Sequence, residues 1–494
     1  MYWGQGVRCV ILFKMNLPKK KISFRSVLGL FFLLITLSLL TWQSRKIQIW
    51  WHQATGQPAN ITVDTAAILG PMPQPWLALA QGGEEKGPML TPIIPEIKQL
   101  KPKYIRLDHV FDAYNLVGGD KNGTMTYDFS QLDKTVDDIL ATSALPFFSL
   151  SYMPPVISRD GQVTSLPENW SDWSAIVRTF IEHYSAKNNR NLTNIYYEVW
   201  NEPDLFGNWK TRDCRLLEPN CDSEKDYLTL YLHSALGAQQ AKNTNPFYLG
   251  GPATTSFYPA WFEKLLELAE TKNLRLDFVS WHSYHPETDF YNQELEDLKT
   301  IIEKHPRFLG LKKIISEWGS DPENSPNHDS IFDAAHTIAT NRALMARVDL
   351  AFAFEIKDGP DPAGKKYWGR WGLLTHQNSD KEKKPRYHAL DFLNQLGGER
   401  LSLAGEGTWV KGIAGKDKNS IQVLLTNYDP ESRHQETVPI KFINLAPGDY
   451  LYQENFLLAK GSQQKKTVAD GGILETTILL PANSVVLITI TPSR

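Results

Sequence analysis

Cysteine is nearly missing from this sequence: three occur among 494 residues, too few to staple a scaffold together. No Cys-x-x-Cys pair is present either, which excludes zinc ribbons and thioredoxin-like redox sites. An excess of one charge is also lacking. Lys and Arg number 52 against 55 Asp and Glu, for a net charge of −3. With no basic surplus to neutralise a phosphate backbone, nucleic acid is not an expected partner. No P-loop occurs and no Gly-x-Gly-x-x-Gly follows the first regular strand, so no nucleotide cofactor is expected. What the chain does have is apolar material: 42% hydrophobic residues, with 22% charged, is the make-up of a globular protein and excludes disorder as its main state. At roughly 150 residues per domain the length suggests two to four units. Fifteen Trp, 19 Tyr and 22 Phe fill cores or form surfaces on which sugars stack.

Residues 26–44 are 19 uncharged residues dominated by Leu and Phe, the only spanning candidate, since about 17 to 25 such residues suffice to cross a bilayer. Arg8, Lys14, Lys19, Lys20, Lys21 and Arg25 precede it, against Arg45 and Lys46 behind, so the positive-inside bias keeps the N-terminus cytoplasmic. The expected order is a basic cytoplasmic segment (1–25), an anchor (26–44) and a stalk (45–75), with the remainder outside the cytoplasm. Trp42, Trp50 and Trp51 would sit at the outer interface. A cleaved signal peptide is the alternative, although its apolar region is usually shorter. In an oxidising compartment Cys214 and Cys221 would close a short loop, worth about 2.5 kcal/mol by loop entropy; two free thiols are the other possibility. Asn60, Asn122, Asn169 and Asn191 each begin an Asn-x-Ser/Thr sequon, which matters only in a glycosylating host.

From residue 76 short β-branched or aromatic runs alternate with amphipathic segments. Strands are expected at 76–81, 104–110, 146–152, 195–200, 248–251, 278–282, 313–317 and 350–356, with helices such as 129–142, 173–186, 227–242, 260–272, 293–304 and 331–347 between them. Eight βα repeats suit an α/β fold of the (β/α)8 barrel type over residues 76–397, whose active site lies where strands end. After about residue 398 the helical period stops. Alternating stretches at 420–427, 438–443, 450–457, 473–480 and 485–491 predict a β-sandwich over 398–494.

Two of the strands end in glutamate. Tyr196-Tyr197-Glu198-Val199-Trp200-Asn201-Glu202-Pro203 closes one apolar run, and Ile314-Ile315-Ser316-Glu317-Trp318-Gly319 closes another three units later. Two carboxyls at the same rim can face each other across a cleft, which is the pair glycoside hydrolysis needs: one donates a proton to the leaving oxygen, the other attacks the anomeric carbon or activates water. A separation of about 5 to 5.5 Å implies retention of configuration, and about 6.5 to 9.5 Å implies inversion. His282 and His285 form a His-x-x-His string, but on a strand they face opposite sides and no third ligand is evident, so no metal is expected.

These strand ends resemble those of clan A glycoside hydrolases, and in detail those of family 39. The resemblance rests on Phe148-Ser149-Leu150-Ser151-Tyr152-Met153-Pro154, on Asn201-Glu202-Pro203, on His282-Ser283-Tyr284 and on Ser316-Glu317-Trp318. It implies Glu202 as acid/base and Glu317 as nucleophile, hence a retaining glycosidase acting on an oligo- or polysaccharide. Glu202 would then carry a raised pKa and Glu317 a lowered one. Asn201 would meet the sugar's 2-hydroxyl. Arg106 would pair with Glu317 or with Glu198, Tyr284 would orient Glu317, and His282 would meet a sugar hydroxyl. Trp368 and Trp371 would bind the substrate, a Trp there flooring the sugar ring; core packing of one of the two is the alternative. Members of the family often carry His two residues after the strand-two Arg; here Asp108 stands there, followed by His109, which leaves the sugar open among β-xylosides, uronic-acid sugars and exopolysaccharides. A glycan-binding or scaffold protein without turnover is the reading from a different class.

Overall fold

The computed structural model describes residues 56–82, 85, 89–119, 124–211 and 224–493. The segment 26–44 and the loop holding Cys214 and Cys221 lie outside these residues. Among those described, no helix is long and apolar enough to cross a membrane.

The chain opens with strand β1 (Ile61–Pro71). Eight parallel strands then close into a barrel: β2 (Ala78–Gln81), β3 (Tyr104–Leu107), β6 (Leu145–Leu150), β7 (Ile195–Val199), β8 (Phe247–Thr254), β9 (Phe278–Tyr284), β10 (Lys312–Gly319) and β11 (Leu350–Phe354). A small hairpin of β4 (Val117–Gly119) and β5 (Met125–Tyr127) stands on the second βα connection. The helices are α1 (Ile94–Gln99), α2 (Ser130–Ala141), α3 (Trp170–Ser185), α4 (Tyr227–Gln240), α5 (Pro259–Thr271), α6 (Asp289–Glu303), α7 (Ile331–Leu344) and α8 (Pro385–Leu393). Every strand expected from the βα alternation is found. The short α1 and α8 are the helices that periodicity did not reveal.

Alternation along the strands sorts their side chains into two cores. Ile195, Tyr197 and Val199 face outward into the large core shared with the helices, whereas Tyr196 points into the lumen with Ala78, Ala80, Phe147, Phe278, Ile314, Leu350 and Phe352. Phe147 stacks on Tyr196 at 5.3 Å and meets Phe352 at 4.7 Å, so the lower lumen is a packed aromatic plug. Two residues further along the same faces the character changes to Arg106, Ser149, Glu198 and Ser280, all buried. The polar layer begins where the chemistry is expected.

After α8 come β12 (Glu399–Ala404), β13 (Val410–Lys416), β14 (Ile421–Asn427), β15 (Glu436–Ile443), β16 (Gly448–Phe456), β17 (Ser462–Val468), β18 (Leu474–Leu480) and β19 (Ser484–Pro492). Instead of two separate sheets they form one nine-stranded sheet, β17-β16-β19-β14-β13-β12-β1-β15-β18, wrapped round a core of Val63, Val423, Val438, Ile440, Tyr452 and Ile488. The link between β12 and β13 is only two residue pairs long and β1 meets β12 through two register shifts. Such breaks let a sheet turn a corner. Part of the segment expected to be a stalk, 45–75, is therefore structural: β1 pairs antiparallel with β12 and parallel with β15.

Candidate active site

Backbone irregularity aims both glutamates at the barrel mouth. From Ile314 in the lumen and Ile315 outside it, strict alternation would send Glu317 toward the helices. The β9–β10 pairing slips between Ile315 and Glu317, and the β10–β11 pairing between Ile315 and Trp318. The slip turns Glu317 inward and leaves Trp318 in the outer core, as a bulge does when it re-aims a side chain. On β7 the same result comes from left-handed backbone at Trp200 (φ 71°) and Glu202 (φ 45°), a conformation costing a non-glycine residue about 1 kcal/mol or more. The Glu202 N–H donating to Ala253 O (2.9 Å) and Ser149 Oγ donating to Trp200 O (2.8 Å) hold that turn. The Asp204 carboxylate accepts from the backbone N–H (3.0 Å) and hydroxyl of Thr255, tying the loop after β7 to the loop after β8.

Arg106 organises the layer beneath. It is 1% exposed, and its Nε donates to Glu198 (2.8 Å), its Nη1 to Glu317 Oε1 (2.8 Å) and its Nη2 to Asn201 Oδ1 (2.7 Å). Both pairings open to it from sequence are thus made at once. Asn201 donates onward to Tyr152 Oη (2.9 Å), which fixes its amide. Tyr284 Oη donates to Glu317 Oε2 (2.8 Å). His282, expected against a sugar hydroxyl, is instead fully buried, with Nδ1 2.9 Å from Glu202 Oε1 and 3.5 Å from Glu317 Oε2. Strand alternation carries it into the lumen below the cleft floor, and Arg106 is likewise sealed under the surface it supports. Neither contributes to the cavity wall.

One oxygen of Glu202, one of Glu317 and one nitrogen of His282 lie within 4.8 Å of one another. Of the His-x-x-His string only His282 belongs to this group. Three such atoms are close enough to hold a cation, but His282 Nδ1 is already bonded to Glu202 and Glu317 Oε2 already accepts from Tyr284, so their closeness does not by itself point to a metal.

Burial is the largest influence on Glu317 and raises its pKa above the ordinary 4.5, despite the lowering pull of His282 and Arg106; the Glu202 and Asp108 carboxylates push it further up. The direction is the reverse of the lowered value expected for a nucleophile. For His282 burial works against the charged ring, but the Glu317 charge and the bond to Glu202 outweigh it and raise its pKa. The imidazole lies between the two carboxyls.

Above them lies a cavity of about 1100 Å³ whose wall includes Asn201, Glu202, Tyr284, Glu317, Trp368 and Trp371. Both tryptophans reach it, so neither is lost to the core. Asp108 and His109 both face it as well. Glu355 is a wall residue that sequence reasoning passed over. It directly follows Phe354, the last residue of β11, accepts from Gln81 Nε2 (2.9 Å), and burial with the nearby Asp358 charge drives its pKa far up. Its signal was the same as at the other two positions: an apolar run, here Ala351-Phe352-Ala353-Phe354, ending in Glu.

Comparison with known proteins agrees with this geometry. Residues 89–441 match the model of glycosyl hydrolases family 39. A β-xylosidase of Geobacillus stearothermophilus is 28% identical over 318 residues, 57% of this chain and 58% of that protein, and one of Caldicellulosiruptor saccharolyticus is 23% identical over 352 residues, 65% and 68%. The chain thus spans just over half the length of the first of these. Among solved structures, a family 39 enzyme of Xanthomonas axonopodis pv. citri superposes with a TM-score of 0.72 at 20% identity, covering 88% of this chain and 98% of that one. A monomeric β-xylosidase of Caulobacter crescentus gives the same score and identity over 88% and 100%. With the family model covering most of its length, and two glutamates at the ends of β7 and β10, this chain belongs to glycosyl hydrolases family 39.

Proposed function

We propose that the chain is a retaining glycosidase with Glu202 as acid/base and Glu317 as nucleophile. The observation that carries this reading is the approach of the two carboxyls to within 4.8 Å at the foot of the cavity, near the 5 to 5.5 Å of retaining enzymes and too close to admit the water an inverting one places between them. Glu202 gives its proton to the glycosidic oxygen as Glu317 forms a bond to the anomeric carbon and the leaving sugar departs with that proton. Glu202 then takes a proton from water, whose oxygen displaces Glu317 and restores the free enzyme. His282, bonded to Glu202, holds the proton ready, and Arg106 and Tyr284 each fix one oxygen of Glu317. The positive charge that grows on the sugar ring favours the ionised Glu317 that burial by itself disfavours. Asn201 keeps an amide hydrogen beyond its bond to Tyr152, for the 2-hydroxyl.

The sugar bound next to the nucleophile is uncharged. Among the described residues the cavity wall holds no Lys or Arg, and the cations nearby are already engaged: Arg106 with Glu198 and Glu317, Lys357 with Glu85, Lys384 with Asp329 and Asp358. A uronate would meet the Asp108 side chain with no Lys or Arg among the described wall residues to pair it. Hydrolysis of an aryl β-xyloside should exceed that of the aryl β-glucuronide by about 100-fold, the order of a several-kcal/mol like-charge penalty; the reverse preference would sink the uncharged-sugar reading. Proton NMR of the first product from the aryl β-xyloside tests the mechanism: the β-anomer of xylose should appear first, and the α-anomer would mean inversion. The scaffold reading predicts saturable binding with no product from any variant.

The run at 26–44, with its basic flank upstream, supports a membrane-anchored protein working outside the cytoplasm. Protease added to intact cells should cut the catalytic region and spare the N-terminus.

A further inference from the structure

We infer that the cleft takes an uncharged, β-linked polysaccharide threaded across the barrel mouth and cuts it at internal bonds. This rests on the glycosidase reading above and goes beyond it. The fold leaves several large apolar side chains uncovered. Phe206 is 40% exposed, Tyr258 40% and Trp368 45%, and all three face the same cavity as the two glutamates. Burying such rings would stabilise the protein, so an aromatic left in water beside a reactive site points to a ligand that covers it.

Their placement round the barrel sets the path of that ligand. Phe206 follows β7, Tyr258 follows β8 and Trp368 follows β11. In the closed order β10-β11-β2-β3-β6-β7-β8-β9, three strands separate β11 from β7 in either direction. The platforms therefore stand on opposite sides of the rim. Glu202 shares a turn with Phe206, whose N–H donates to Glu202 O (2.7 Å), and Glu317 ends the strand next to β11. An acid must lie on the side of the leaving group, so the departing sugar runs toward Phe206 and Tyr258. The sugar held by Glu317 runs the other way, toward half-buried Trp371, which packs against Phe354 at 6.4 Å, with the more exposed Trp368 on the same loop. A single residue removed from a chain end needs a wall on that side. Among the described residues the cavity wall carries a second exposed ring on that side, which suits a further sugar.

The experiment compares an aryl β-xyloside with soluble xylan and mixed-linkage β-glucan, on the full chain and on Phe206→Ala, Tyr258→Ala and Trp368→Ala, all at exposed positions that leave the core intact. Internal cleavage predicts that polymer viscosity falls well before reducing ends accumulate, and that oligosaccharides appear before monosaccharide. Each variant should lower the ratio of kcat/KM on xylohexaose to kcat/KM on the aryl xyloside by about ten-fold, the loss of one stacked ring. Release of monosaccharide alone from either polymer, an unchanged ratio in all three variants, or cleavage of the aryl xyloside with both polymers untouched would each overturn the inference while leaving the glycosidase reading standing. Inactivity on every substrate would overturn both.

Discussion

Arg106 and Arg386 are both 1% exposed, both belong to the barrel and both face buried carboxylates, yet the pKa of Glu317 beside Arg106 is raised and that of Asp333 beside Arg386 is lowered. Arg386 donates to the Phe354 and Trp318 carbonyls (2.8 and 2.9 Å), lies 4.5 Å over the Trp318 ring and sits 3.7 Å from Asp333. Burial alone would raise the Asp333 pKa, but Arg386 and His328 outweigh it and hold it well below the usual carboxylate range. Ser320 Oγ adds a hydrogen bond at 2.7 Å. Around Arg106 the same balance tips the other way: the guanidinium is divided between Glu198 and Glu317, and Glu202 and Asp108 repel. One cluster keeps its carboxyl below the usual range and fixes backbone across the seam where the β10–β11 ladder slips. The other is short of positive charge and keeps a carboxyl poised between states. A site meant to form and break a bond gains from that shortage, because the substrate's own developing charge completes it.

The sharpest way to break the contrast is Glu317→Ala. It should reduce kcat/KM on an aryl β-xyloside at least about ten-thousand-fold with far-UV circular dichroism unchanged, as loss of a nucleophile does elsewhere. Removing the shared cation comes next. Arg106→Gln leaves Glu198 buried and unpaired, so chemical denaturation should show a loss of about 3 to 5 kcal/mol together with impaired turnover.

The Arg386 cluster carries a pH signature. Burial pushes the His336 pKa down to about 4 from its ordinary 6.5. The unfolded chain therefore binds a proton that the folded one refuses between those values, and stability falls as pH drops from 6.5 to 4, by about 3 kcal/mol for this one group. His336→Gln should flatten the slope of unfolding free energy against pH; an unchanged slope would remove His336 from the account. The smallest effect is at Tyr284, where Tyr284→Phe deletes one bond to a charged oxygen of Glu317 and should lower kcat about ten- to hundred-fold with little change in stability.

What was legible from sequence follows the same division. Glu202 and Glu317 stood out because each closes an apolar run at a barrel rim, and Arg106, Asn201 and Tyr284 followed from them. Glu355 did not, because Ile356 continues the apolar run past it and hides the end of β11. Phe206 and Tyr258 lie in loops without periodicity, where nothing local says which aromatic stays uncovered. His282 was placed on the correct face but one layer too high, since alternation gives a side and not a depth. β1 was missed for a different reason. Only its first residues alternate, and β12 and β15 lie more than 300 residues away. Its strand character comes from tertiary pairing, which a local pattern does not carry.

The central claim is that Glu317 bonds covalently to the sugar while Glu202 handles the proton. Incubation with a 2-deoxy-2-fluoro xyloside carrying a good leaving group, followed by peptide mass spectrometry, tests it directly. The account predicts a fluoroxylosyl ester on Glu317 that accumulates with inactivation and decays when an acceptor sugar is added. An adduct on Glu202, Glu355 or any other residue would contradict it.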